Sequence, residues 1–224
     1  MKIGGFQKLS LLNYPDRAAC TVFTSGCNFH CPFCYNSGLV NGTESIDSET
    51  VFQYLQKRKG VLDGVCVTGG EPLIHRDILP FLYRIKQLGY SIKLDTNGSY
   101  PELLQEVISQ KAIDYVAMDV KNSFGKYAET SGNPNVSIKQ IQKSIDIIKG
   151  SGIPHEFRTT VVGEFHTALD IEEIAQNIKG ASVWYLQTFR FTLEAFQQGL
   201  HAPTEEDMEI YRSIGNRYVK TMVR

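Results

Sequence analysis

Apolar, β-branched runs alternate along this chain with segments whose apolar residues recur at helical spacing. The runs predict six strands, at residues 18–24, 61–68, 91–94, 114–120, 155–162 and 182–189. Strands that alternate with helices favour parallel pairing through right-handed crossovers. The pattern leaves two architectures open, a barrel-like closure and an open doubly wound sheet. In both, ligands bind at the carboxyl ends of the strands.

Capping residues mark where the intervening helices begin and end. Asp47 predicts the start of a helix over residues 48–59, and Gly89 predicts the left-handed end of the next helix. Pro101 opens a short helix, and Ser137 opens a long helix that ends at residue 150. Asp170 is predicted to cap the helix after the fifth strand, and a final helix begins near residues 203–204.

Polar clusters follow the strands, at the places where each strand is predicted to end. They are Gly69-Gly70-Glu71-Pro72, Asp95-Thr96-Asn97, and the pair Asp119 and Lys121, to which Arg158 within the fifth strand is added. Because the carboxyl ends of parallel strands share one edge, these clusters are expected to converge on one face.

Three of the five cysteines, Cys27, Cys31 and Cys34, lie within eight residues. An odd number of cysteines, three of them clustered, does not suit a disulfide framework and favours metal binding in a reducing compartment. Structural zinc normally needs four ligands, and only three cysteines are clustered here. His30 could in principle complete a zinc site, but it lies between two of the cysteines in a tight loop, where its reach is awkward. A four-iron cluster with three cysteine ligands would leave one iron open for a reaction. Cys20 and Cys66 lie inside apolar strands and are predicted to be buried as small apolar residues.

Composition limits the class of protein. At 224 residues with 42% hydrophobic side chains, the chain can bury the core of one domain, which is predicted to span residues 1–224. A net charge of -1 gives no reason to expect a nucleic-acid partner. The sequence has no run of 18 apolar residues and no apolar signal-peptide core, so it predicts a cytoplasmic protein without a membrane partner.

Taken together, these motifs resemble those of a known family. Cys27-x3-Cys31-x2-Cys34 with Phe33 before the last cysteine, followed by Gly69-Gly70-Glu71-Pro72, resembles the radical S-adenosylmethionine (SAM) enzymes. The turn at residues 95–98 and the segments at 119–121 and 158–161 resemble the glycyl-radical-enzyme activases, above all those of anaerobic ribonucleoside-triphosphate reductase. The resemblance implies an α/β fold, a partial (β/α)6 TIM-like barrel.

The resemblance also implies cofactors and the residues that hold them. Cys27, Cys31 and Cys34 would bind a [4Fe-4S] cluster whose open iron chelates SAM. The expected SAM contacts are Phe33, Gly69, Gly70, Glu71, Pro72, Asp95, Thr96, Asn97, Asp119, Lys121, Arg158 and Gln187, the last in place of a histidine found in relatives. Asp95, Thr96 and Asp119 would lie beside a monovalent cation.

The chemistry implied by the resemblance is reductive cleavage of SAM. An electron from a flavodoxin or ferredoxin would produce a 5'-deoxyadenosyl radical, which takes hydrogen from a glycine of the partner, the large subunit of anaerobic ribonucleotide reductase. No side chain is expected to act as acid or base. Residues 123–135 and 191–203 are the candidate partner contacts.

Two alternatives stay open at this point. One is a radical SAM enzyme acting on a small molecule, of the 7-carboxy-7-deazaguanine synthase type. The other is a non-catalytic iron-sulfur or zinc protein.

Overall fold

The computed structural model describes residues 1–42 and 45–224, which form eight β-strands and eight α-helices. The strands are β1 Ile3–Ser10, β2 Ala19–Thr24, β3 Gly64–Gly69, β4 Ser91–Thr96, β5 Tyr115–Asp119, β6 His155–Val161, β7 Trp184–Thr188 and β8 Thr221–Val223. All six expected strands are present as β2 to β7, whereas β1 and β8 were not predicted. The helices are α1 Ser37–Val40, α2 Ser48–Lys57, α3 Ile78–Gln87, α4 Pro101–Ser109, α5 Tyr127–Ser131, α6 Ile138–Gly150, α7 Ala168–Asn177 and α8 Glu205–Gly215.

The chain divides into two compact units. The first unit comprises Met1–Asn28, Gly38–Thr96 and Glu102–Val116, and the second comprises Phe29–Ser37, Asn97–Pro101 and Ala117–Arg224. Strand β5 contributes its first two residues to the first unit and its last three to the second. The single domain over residues 1–224 stays a prediction.

In the first unit the strands lie in the order β1-β2-β3-β4-β5. The pairs β2–β3 and β3–β4 are parallel, as expected, with Thr24 opposite Gly69 and Val67 opposite Leu94. Strand β1 pairs antiparallel with β2. It escaped prediction because its sequence, with two glycines and three polar residues, is not an apolar run, and most of its residues are not fully buried.

In the second unit the strands lie in the order β5-β6-β7-β8, and the pairs β6–β7 and β7–β8 are parallel. The core includes Trp184, whose indole N–H donates to the Thr159 hydroxyl at 3.0 Å. The three residues of β8 are too few for a periodic signal, and two of them are exposed.

Most predicted helix ends are confirmed, and one is corrected. The Asp47 carboxylate accepts the Glu49 N–H at 3.0 Å, Pro101 begins α4, and Gly89 has a φ of 91°. Asp170 was predicted to cap α7, but the cap is Thr167. Asp170 lies one turn inside the helix, where its carboxylate accepts the Thr167 N–H at 2.9 Å, because the two residues form a capping box.

Cys20 and Cys66 are fully buried in β2 and β3, as predicted. Over the described residues, no helix combines the length and the apolar character needed to cross a membrane.

Candidate functional site

The turn after β3 carries Gly69 and Gly70, both of which pack tightly on the end of β2. A Cβ on Gly70 would lie 2.0 Å from the carbonyl oxygen of Gly26, and Gly69 has a φ of 107°. Backbone N–H groups of Gly70 and Glu71 donate to Thr24 and Gly26, each at 2.9 Å. These glycines are therefore required by backbone packing against the residues that immediately precede Cys27.

Glu71 joins the ends of two neighbouring strands. Its side chain is 1% exposed, and its Oε1 accepts the Leu73 N–H at 3.0 Å and the Thr96 hydroxyl at 2.8 Å. Pro72 begins a single 3₁₀ turn, Pro72–Ile74. Glu71 and Pro72 thus form a rigid edge at the end of β3, held to the end of β4.

A buried ion pair lies at the end of β4. The Lys93 ammonium pairs with Asp95 Oδ1, and the side chains are 2% and 12% exposed. Lys93 was not predicted as a site residue, although a lysine in the middle of an apolar strand is the signal that could have indicated it. Burying a charge without a partner is costly, so each residue stabilises the other only as a pair.

The cysteine loop, residues 27–34, is divided between the two units. Cys27 belongs to the first, whereas Phe33, Cys31 and Cys34 belong to the second. The Cys34 N–H donates to the Cys31 carbonyl at 3.0 Å, and the buried Phe33 ring lies 6.1 Å from the Phe165 ring. All five cysteines lie in described ranges, and none of them forms a disulfide.

The Lys121 ammonium and the Asp119 carboxylate act in opposite directions on the thiols of Cys31 and Cys34. Burial raises the pKa of the Cys31 thiol to about 11, and the Lys121 ammonium acts in the opposite direction. Burial also raises the pKa of the Cys34 thiol, and a hydrogen bond from the Asn36 backbone and the Lys121 ammonium act in the opposite direction. A cation beside these sulfur atoms favours the thiolate form that a metal ligand needs.

Helix α5 packs directly on the cysteine loop. The Phe29 and Tyr127 rings meet edge to face with centroids 6.5 Å apart, and the His30 N–H donates to the Ser131 carbonyl at 3.0 Å. Gly132, with a φ of 61°, follows the helix, and a Cβ there would lie 2.1 Å from the His30 carbonyl oxygen. Sequence reasoning did not predict this support.

Asp119, Lys121 and Arg158 form one group in the second unit. Arg158 Nε donates to Asp119 Oδ1 at 2.7 Å, and Lys121 Nζ donates to Oδ2 at 3.1 Å. Burial opposes ionisation of Asp119, but the charges of Arg158 and Lys121 outweigh it and hold the pKa of this carboxyl below its usual value. The structure therefore brings these three predicted residues together, with both cations directed at Asp119.

The remaining predicted contacts lie in the second unit. Asn97 is buried, and its Oδ1 accepts the Ser99 N–H at 3.0 Å, which closes the turn after β4. Gln187 is half-buried in β7, opposite Thr160 of β6.

Cys31 and Cys34 of the second unit offer thiol donors of the kind that iron-sulfur clusters use. Three thiols at the predicted spacing form no disulfide, and two of them lie near the Lys121 ammonium. Over the described ranges no three His, Cys, Asp or Glu side chains are gathered as a ready metal site, so the assignment of ligands depends on donor chemistry and on the family. A cluster held there would supply the electron that cleaves SAM.

Two further residues escaped sequence reasoning. His166 is buried, with Nε2 at 2.9 Å from the Lys121 carbonyl oxygen, and Tyr127 is fully buried at the start of α5. A single histidine or tyrosine in a polar segment carries no distinctive spacing, so only the three-dimensional structure shows that His166 contacts Lys121 and that Tyr127 packs on the cysteine loop.

Comparisons with known proteins agree with this chemistry. The model of the Radical SAM superfamily matches residues 21–178. A Methanocaldococcus jannaschii protein with the provisional name glycyl-radical enzyme activating enzyme MJ1227 is 32% identical, over 99% of this chain and 94% of its own length. The 7-carboxy-7-deazaguanine synthase of Thermococcus kodakarensis is 24% identical, over 84% of this chain and 78% of its own length.

A solved structure shows the same fold. It is a domain of the pyruvate-formate lyase-activating enzyme of Bacteroides vulgatus, with a TM-score of 0.60 and 21% identity, covering 72% of this chain and 98% of that chain. The predicted α/β fold, a partial TIM-like barrel, is confirmed, as are the [4Fe-4S] cluster and SAM as the family's cofactors. The chain resembles glycyl-radical activating enzymes and belongs to the radical SAM superfamily of oxidoreductases.

Proposed function

We propose that this protein installs a glycyl radical on a partner enzyme by reductive cleavage of SAM at a [4Fe-4S] cluster. The observation that carries this proposal is the 32% identity over nearly the whole chain to a protein named as an activating enzyme. When bound, the cluster and SAM together supply the 5'-deoxyadenosyl radical. The chain itself holds and orients these groups.

Each residue then has a binding role. Cys27, Cys31 and Cys34 provide the three sulfur ligands of the cluster. The residues proposed to contact SAM are Phe33, Gly69, Gly70, Glu71, Pro72, Asp95, Thr96, Asn97, Asp119, Lys121, Arg158 and Gln187. The tight packing of Gly69 and Gly70 favours this role, because it leaves the edge of the turn without side chains.

A monovalent cation beside Asp95, Thr96 and Asp119 stays a prediction. Asp95 already pairs with the Lys93 ammonium, and Asp119 pairs with Lys121 and Arg158. Both carboxylates therefore have a positive partner that belongs to the chain.

We propose the large subunit of anaerobic ribonucleotide reductase as the partner and a flavodoxin or ferredoxin as the electron donor. The segment at residues 191–203 supports a docking role, since Phe191 is 61% exposed and Leu193 is 83% exposed. The same region is bonded to the cysteine loop, because the Gln197 N–H donates to the Pro32 carbonyl at 2.9 Å. Large exposed apolar side chains are typical of interaction surfaces.

The experiment compares SAM cleavage with radical transfer. Anaerobically reconstituted, reduced protein is expected to form 5'-deoxyadenosine, and with the correct partner to give a glycyl doublet in electron paramagnetic resonance. Cys34→Ala should abolish both signals. Cys20→Ala is the matched control, because this cysteine is buried within β2 and should leave both signals intact.

A second candidate function is modification of a small molecule. The 24% identity over 84% of the chain to a 7-carboxy-7-deazaguanine synthase favours it. Cleavage of SAM without a glycyl radical on any candidate partner would support this alternative. Failure to cleave SAM with an intact, reduced cluster would contradict both enzymatic functions.

A further inference from the structure

Tyr127 stands out because its buried hydroxyl has no hydrogen-bond partner. Its side chain is 0% exposed, and its hydroxyl is the one buried side-chain oxygen or nitrogen without a partner in the part of the chain that the structure describes. Buried polar groups are rarely left unsatisfied, because the loss of water is not compensated. The position therefore indicates an acceptor that the chain offers only when its cofactor is bound.

The surroundings of the hydroxyl are those of the cysteine loop. Tyr127 is the first residue of α5, and its ring packs on Phe29, four residues after Ser25 and two before Cys31. The helix is held to this loop by the hydrogen bond from His30 to Ser131. Tyr127 is thus positioned by the same contacts that position the loop.

Three charged or titratable groups interact electrostatically with the phenol: Lys121, Cys31 and Asp119. Lys121 carries only donors on its side chain, and its backbone approaches the phenol without reaching hydrogen-bond geometry. Asp119 already accepts hydrogen bonds from Arg158 and Lys121. The sulfur of Cys31 remains as the natural acceptor.

The protonation states fit a hydrogen bond in this direction. Burial raises the pKa of the Tyr127 phenol above its usual value, so the hydroxyl keeps its proton at neutral pH. A thiol is a weak acceptor, whereas a metal-bound thiolate carries negative charge and accepts more strongly.

We propose that the Tyr127 hydroxyl donates a hydrogen bond to the Cys31 sulfur when that sulfur is a thiolate ligand of the cluster. Hydrogen bonds to ligand sulfur are among the factors that set cluster potential. Tyr127 is then a positioning residue that makes the cluster easier to reduce. The inference rests on Cys31 as a ligand, as proposed above, and not on the identity of the partner.

The test is a redox titration of the loaded protein. Wild type and Tyr127→Phe are reconstituted anaerobically, their iron and sulfide are quantified, and the reduced cluster is followed by electron paramagnetic resonance. With equal cluster content, Tyr127→Phe should show a ratio of reduced to oxidised cluster that is about tenfold lower at a fixed potential. For one electron, this corresponds to a midpoint about 59 mV more negative.

Tyr90→Phe is the matched control. Tyr90 is 4% exposed, and its hydroxyl donates to the Leu55 carbonyl at 2.7 Å in the first unit. This variant should lower the melting temperature without shifting the midpoint. In the protein without cluster, Tyr127→Phe should keep the wild-type melting temperature, because no hydrogen bond within the chain is lost.

Three results would overturn the inference. They are an unchanged midpoint at full cluster content, a folded Tyr127→Phe variant with less than half the wild-type iron, and a melting temperature lowered as much as by Tyr90→Phe. If Cys31→Ala kept an intact cluster, Cys31 would not be a ligand, and the premise from the proposed function would fail. This outcome differs from the three results above, which concern Tyr127 alone.

Discussion

The turns that end β3 and β4 differ from the cysteine loop and α5 in how their buried polar groups are satisfied. In the first region Glu71 accepts from both Leu73 and Thr96. In the second region the Tyr127 hydroxyl has no partner among the described residues, and burial raises the pKa of the Cys31 thiol. Glu71 thus finds its partners within the chain, whereas the partner that we propose for the Tyr127 hydroxyl, a cluster-bound Cys31 thiolate, exists only when the cofactor is present.

The largest expected effect comes from Gly70→Ala in the first region. The added Cβ would meet the Gly26 carbonyl, a backbone atom that cannot move aside, so we expect a loss of more than about 3 kcal/mol in the free energy of unfolding. Urea denaturation measures it. Gly150→Ala is the control, because no atom lies within 4 Å of its added Cβ and the helix-favouring alanine should be neutral or slightly stabilising. Equal stability of both variants would contradict the tight packing of this turn.

Lys93→Met should cost about 3 kcal/mol, because it leaves the Asp95 carboxylate buried without its cation. The measurement is the free energy of unfolding in urea. The double variant Lys93→Met/Asp95→Asn should recover most of the loss, since it removes both charges. If the double variant were no more stable than the single one, the ion pair would not explain the effect.

Asp170 accepts hydrogen bonds from Ser123 and Lys126, just before the helix α5 that packs on the cysteine loop. The ionisation of Asp170 therefore makes the stability of this region depend on pH. Burial opposes ionisation of Asp170, but hydrogen bonds from Lys126, Thr167 and Ser123 outweigh it and hold its pKa at about 2, below its usual value of 3.8. The depressed pKa stabilises the folded state above about pH 4, and this contribution of roughly 2 kcal/mol is lost as the pH falls towards 2.

Urea titrations from pH 6 to pH 2.5 check this expectation. Asp170→Asn should be less stable at pH 6 and should show a shallower loss of stability in acid. An unchanged acid profile in the variant would show that another carboxyl group is responsible.

A smaller loss is expected where only one hydrogen bond of the first region is removed. Thr96→Val removes the hydroxyl that donates to Glu71 and should cost about 1 kcal/mol in the protein without cluster. Thermal denaturation of this variant can be compared with that of Tyr127→Phe, for which no loss is expected. An equal decrease in melting temperature for the two variants would mean that the Tyr127 hydroxyl, like that of Thr96, is hydrogen-bonded within the chain.

Much of the fold was predictable from local patterns. Strands β2 to β7 are apolar runs, and Cys20 and Cys66 are buried where those runs predicted. Strand β1 was missed because a strand with polar and glycine positions has no continuous apolar signal. The cap of α7 was misplaced by three residues, since Thr167 and Asp170 both suit a helix start and only their mutual hydrogen bonds decide between them.

The candidate site was predictable as a set of residue types, and less so as a set of contacts. The assignment of the three cysteines as cluster ligands, made from their spacing, stays a prediction. The groupings of Asp119, Lys121 and Arg158 and of Glu71 with Thr96 agree with the strand-end rule. His166 and Tyr127 were missed because their significance depends on residues far away in sequence. Lys93 did carry a local signal, since it is a lysine in an apolar strand two residues before its partner Asp95. No local pattern distinguishes a tyrosine whose buried hydroxyl lacks a partner from an ordinary tyrosine.

The hydrogen bond from His30 to Ser131 also limits the order in which the protein can fold and receive its cluster. The loop that carries Cys31 and Cys34 is synthesised early, but its packing partner α5 follows about a hundred residues later. Contacts so distant in sequence form late, because a long segment must first be ordered between them. On the ribosome, the cysteine loop therefore stays exposed until α5 has emerged, and a cluster delivered before that time would meet thiols that have not yet been arranged to hold it.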